Sequence, residues 1–207
     1  MTTVPLPLRP FPLLLALATL AACSGATEPP DEIREQSELN ILRLPANHPP
    51  FFNDSVAFYV KTSRGGEGKI YFQAPGGGRG EAFAELKLED RTLLARADGT
   101  PFGAGDSVLI VMKVADQSDL LVELRPTGIR FRASEPAELK LDYEATGGDI
   151  DGDGDRDGED AELELRLSIW RQARIGDPFV KIGTVKTEGL RELEAKLTSF
   201  SRYAIAY

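Results

Sequence analysis

The amino-acid sequence predicts an all-β protein, an antiparallel β-sandwich, from three observations. Apolar residues recur with a period of two in many short runs. Glycine-rich turns separate those runs. Beyond residue 38 no long stretch keeps the 3.6-residue period of an amphipathic helix.

The first element is a leader. Arg9 and the terminal amine supply positive charge, and Leu13 to Ala22 form an apolar run too short to span a bilayer. The run closes as Leu20-Ala21-Ala22-Cys23, on the only cysteine of the chain. This resembles the signal of bacterial lipoproteins, although Pro5, Pro7, Pro10 and Pro12 are unusual in such a leader. The resemblance implies loss of residues 1–22, lipidation of Cys23, and a membrane partner reached through acyl chains on that residue. Ser24 in place of Asp after the cysteine resembles sorting to the outer membrane. Each buried methylene contributes about 0.8 kcal/mol, so stable anchoring takes more than one chain. A lone cysteine also leaves the mature protein without an internal disulfide.

Residues 23–38 read as the lipidated cysteine and a flexible tether, because Ser24 to Glu32 is polar, proline-containing and poor in apolar residues. Residues 39–82 read as N-terminal strands: Val56, Phe58 and Val60 alternate with Ala57, Tyr59 and Lys61, and Ile70 and Phe72 follow the turn Arg64 to Gly68. From residue 83 to 207 the pattern continues. Strands are expected at Phe83 to Leu88, Ser107 to Val114, Leu120 to Leu124, Leu139 to Tyr143 and Tyr203 to Tyr207. Leu163, Leu165, Leu167 and Ile169 alternate with Glu162, Glu164, Arg166 and Ser168, which predicts another half-buried strand. Leu190, Leu193 and Leu197 have helical spacing and predict a short helix over Glu188 to Lys196.

The order of motifs over residues 83–207 resembles ZU5-type β-sandwich domains of bacterial extracellular proteins. Pro126-Thr127-Gly128 leads into a strand, Pro136-Ala137-Glu138-Leu139 into a second ending at Tyr143. Leu167 to Trp170 forms an aromatic-centred strand, and Phe200-Ser201-Arg202-Tyr203-Ala204 closes the chain. The resemblance implies an interaction or scaffold module. Some members cleave themselves at a His-Phe-Ser site. Here the corresponding residues are Ser199-Phe200-Ser201, and the single histidine, His48, lies far away in sequence, so the base is missing. Phe200 and Tyr203 then read as core residues, and His48 as a loop residue.

The most distinctive later segment is acidic, Asp149 to Asp160. Calcium takes six to eight hard oxygen ligands, and a chain supplies them from alternate carboxylates with a glycine at the sharp turn. Counting from Asp149 places Asp149, Asp151 and Asp153 at positions one, three and five of a twelve-residue loop. Gly154 is then sixth, Asp155 seventh through its carbonyl, Asp157 ninth and Asp160 twelfth. This resembles dockerin and EF-hand calcium loops, although Arg156 stands at the usually aliphatic eighth position and no flanking helix is evident. A second register, from Asp153 to Glu164, also fits. A solvated acidic hairpin loop is the plain alternative.

Other features carry less. Gly76 to Gly80 lacks the strand-to-helix setting of a phosphate loop. Tyr59, Tyr71, Phe72 and Trp170 are the aromatics available for a sugar platform. The formal charge of -9 becomes -10 on loss of Arg9, which argues against nucleic acid. The expectation is a non-enzymatic, lipid-anchored binding or scaffold protein of the bacterial envelope, with Ca2+ in a structural role and a protein partner. The rival is a cell-surface carbohydrate-binding module or glycan-active enzyme.

Overall fold

The computed structural model of the protein describes Met1, residues 32–187 and residues 189–207. The leader, Cys23, tether residues 24–31 and Glu188 lie outside the described residues.

The described chain is built from fifteen strands and one helix: β1 (Ile33–Arg34), β2 (Phe51–Asn53), β3 (Ser55–Lys61), β4 (Gly66–Gln73), β5 (Arg79–Leu88), β6 (Leu93–Ala95), β7 (Ser107–Val114), β8 (Leu121–Arg125), β9 (Arg130–Phe131), β10 (Ala137–Asp142), α1 (Gly158–Glu164), β11 (Ser168–Gln172), β12 (Phe179–Lys181), β13 (Thr184–Thr187), β14 (Glu192–Leu197) and β15 (Arg202–Ala206). A seven-stranded sheet runs β1-β12-β11-β15-β8-β7-β3, and a six-stranded sheet β13-β14-β10-β5-β4-β2. Their pairings are antiparallel, and β6 and β9 form a small separate ribbon. The fold is the open antiparallel sandwich that the alternating pattern predicts. Strands from residues 39–82 sit in both sheets beside strands from 83–207, so the two sequence segments share one core.

That core lies between the inner faces. Val60, Ile110, Met112, Val122 and Ile169 from one sheet meet Ile70, Leu86, Leu139, Leu141 and Leu193 from the other. Phe51, Phe72 and Phe83 pack together at one end, with ring centroids 4.9–5.7 Å apart. β3 and β4 approach so closely that a Cβ on Gly68 would lie 2.4 Å from the Phe58 ring. A second, smaller cluster covers part of the outer face of the seven-stranded sheet. Leu39 packs there with Leu121, Trp170, Phe179, Ala204 and Ala206, and the Trp170 indole N–H donates to the Ala206 carbonyl at 3.1 Å. Both clusters lie within the compact unit Asp31–Tyr207, which therefore carries a complete core of its own.

Three sequence expectations are corrected. The tether does not extend to residue 38, because β1 pairs with β12 (Ile33 opposite Val180) and Gln36–Glu38 form a 3-10 turn. The strand expected from Leu163 begins only at Ser168. Its first residues end α1 instead, since Asp157 caps that helix through a capping box with Asp160, and this local bonding outweighs the period-two pattern. Leu163 and Leu167 are buried but Leu165 is 82% exposed, which no straight strand would allow. The helix expected near Leu190 is also absent from the described residues. Leu193, Ala195 and Leu197 are buried alternately on β14, and Leu190 is exposed. Leu193 and Leu197 fit both periods, and pairing with β10 settles the choice.

Candidate metal centre

The acidic segment connects β10 to β11 through α1. Before it, a 3-10 turn over Glu144–Thr146 follows β10 and ends at Gly147, and Gly147 and Gly148 both adopt positive φ. Within it, carboxylates fold the loop by accepting backbone N–H groups. Asp149 accepts from Gly152 at 2.7 Å and Gly154 at 3.0 Å. Asp151 accepts from Asp153, and Asp153 from Asp155, each at 3.1 Å. Gly154 has φ +103, a conformation that side-chain-bearing residues rarely adopt, at the position where a calcium loop turns sharply.

The far end is held by Asp160. One of its oxygens accepts from Ile150 at 2.6 Å and Asp151 at 3.4 Å, the other from Asp157 at 2.8 Å. The amides of Asp157, Ile150 and Asp151 hold its carboxyl below the usual carboxylate range. Asp155 has the opposite environment. The neighbouring Asp153 first, then Asp157, Asp160 and Asp151, push its pKa up by repulsion.

All six sequence-predicted aspartates therefore lie on one segment, Asp160 in the first turn of α1, but in two groups. One oxygen from each of Asp149, Asp151 and Asp153 lies within 4.8 Å of the others, and the same holds for Asp155, Asp157 and Asp160. In each group the three carboxylate oxygens are close enough together for one cation to be shared among them. Position ten of the register counted from Asp149 is Gly158, the first residue of α1, so an exiting helix follows the loop although the sequence pattern hides it. Glu164, twelfth in the second register, is engaged elsewhere: it accepts from the Tyr143 hydroxyl at 3.0 Å and the Lys186 ammonium at 3.2 Å. Burial raises its pKa, yet those two donors hold the carboxyl below its ordinary value.

Sequence reasoning missed what surrounds the loop. An open groove of about 640 Å3 is lined by residues of Asp149 to Gly154 and of Leu39 to Ala46, together with Asp119 and Tyr207. Tyr143, just after β10, and Lys186 on β13 both donate to Glu164 at the end of α1 and buttress that helix. No local signal marks either feature, since each joins residues distant in sequence.

The remaining sequence candidates do not converge. Phe72 and Trp170 are buried, and Tyr59 and Tyr71 stand on different sheets, so the four aromatics form no shared platform. His48 bonds to the Pro49 carbonyl and packs near Phe51 and Phe72, while the Ser201 hydroxyl accepts from Arg171. Phe200 and Tyr203 are core residues as expected. Comparison with family models, curated proteins and solved structures finds no match.

Proposed function

We propose that the protein is a lipid-anchored binding or scaffold module of the bacterial envelope, held by acyl chains on Cys23 and stiffened by calcium at the acidic loop. The observation that carries the calcium reading is the convergence of Asp149, Asp151 and Asp153 around a left-handed Gly154, with a helix starting at Gly158. The ion belongs to the register from Asp149, and it offsets the mutual repulsion of the loop carboxylates. It acts on structure, pinning the loop beside the groove. The ZU5-like motif order supports an interaction module over an enzyme.

A binding role is further supported by the outer face of the seven-stranded sheet. Tyr59 and Leu109 stand opposite each other across β3 and β7, both exposed, with Ala57 and Val111 the next pair. β3 is also an edge strand. Exposed apolar pairs on an edge are typical of association surfaces. The four aromatics named for the carbohydrate-binding alternative form no shared exposed platform.

The test is calorimetric calcium titration and thermal melting of the chain from Ser24 to Tyr207, which contains the whole folded unit. Calcium raises the melting temperature, and the combined variant Asp149→Ala, Asp153→Ala loses the rise. Absence of heat and of any shift up to about 10 mM calcium, beyond the weakest extracellular sites, rejects the calcium reading.

A further inference from the structure

A second cleft, of about 410 Å3, opens where the first described residues join the sandwich. Three cations line it: Arg34 on β1, Arg166 just after α1, and Lys181 on β12. Arg34 and Lys181 lie over the Trp170 ring at 5.4 and 5.7 Å from its centroid, and Arg166 is 5.8 Å from that of Tyr207. The one carboxylate side chain in the lining, Glu32, is shared between Arg34 and Lys181. Among the described residues Arg166 has no ion-pair partner. Leu165, 82% exposed, forms part of the same wall. It contributes to neither described core.

This combination has a position as well as a composition. Glu32 follows Cys23 by nine residues, a span of at most about 30 Å when fully extended. An anchor at Cys23 therefore keeps this edge of the sandwich close to the bilayer. We infer that the cleft docks on an anionic lipid surface, with Arg34, Arg166 and Lys181 against headgroup phosphates and Leu165 between headgroups. The geometry of this inference rests on the lipid-anchor reading above. Tyr207 also borders the groove of the acidic loop, so the three cations act by direct contact, within the roughly 8 Å over which charge is felt at physiological ionic strength. Each cation near such a surface strengthens binding about fivefold.

The test uses the unlipidated chain from Ser24 to Tyr207, cosedimented with vesicles of phosphatidylcholine alone or mixed with phosphatidylglycerol, in EDTA. The chain sediments with the phosphatidylglycerol vesicles and is released by salt. Arg166→Gln with Lys181→Gln weakens binding about thirtyfold, and Leu165→Asp alone weakens it without altering the far-ultraviolet dichroism. Equal partition onto both vesicle types, or binding unchanged in the double variant and in Leu165→Asp, overturns the inference. So does complete displacement by millimolar inorganic phosphate at matched ionic strength, which marks a seat for a free anion. Because this chain carries no lipid, failure here leaves the anchor reading to be judged by acyl labelling of Cys23.

Discussion

The Asp160 carboxylate accepts the backbone N–H of Ile150 at 2.6 Å, so the last residue of the acidic loop is tied directly to its second. Asp160 is 3% exposed and also accepts from Asp151 and Asp157. Replacing it with alanine leaves three loop amides without this acceptor. We expect Asp160→Ala to lower the melting temperature by roughly 5–10 °C in EDTA, where metal plays no part. An unchanged melting temperature there rejects the tie.

Gly68 gives a second expectation. A methyl group at this position meets the Phe58 ring at 2.4 Å, inside a well-packed core. Gly68→Ala should cost about 1–3 kcal/mol by urea denaturation. Combination with Phe58→Leu should recover part of that loss, since the leucine removes the ring atoms that clash. Additive losses would show that the two positions do not interact.

Asp142 sets a pH dependence. Burial, reinforced by Glu81, Glu144 and Glu192, raises its pKa from 3.8 to about 6, although the Glu144 amide opposes the shift. A carboxyl with a raised folded-state pKa favours the fold while protonated, and that contribution disappears as pH rises through the folded pKa. The stability of Asp142→Asn relative to the natural chain should therefore increase from pH 3.8 to about 6 and then level off. Parallel stability–pH curves for the two proteins would refute the shift.

Expression of the full chain in a lipoprotein-processing bacterium with a labelled fatty acid tests the anchor. Label should enter the protein and be lost in Cys23→Ser. Equal label in both proteins, or none in either, rejects lipidation at Cys23.

Much of the sandwich is legible because its strands are buried on one face only. Ala137, Leu139 and Leu141 alternate with half-buried Glu138, Lys140 and Asp142, and the sequence period survives directly as burial. The acidic loop is equally legible, since its oxygens and its turn glycine come from one short segment. At Leu163 to Ile169 the same alternation misleads, because the Asp157–Asp160 capping box starts a helix that turns Leu165 outward.

The sequence by itself determined which short segments extend and where the acidic loop falls, because each depends on neighbours along the chain. Tertiary structure alone decided which sheet each strand joins, that Leu39 covers Trp170, that Gly68 makes room for Phe58, and that Arg34, Arg166 and Lys181 share one cleft. Those relationships pair residues ten or more positions apart. They follow from the long-range closure of two sheets on a common core, to which local periodicity is blind.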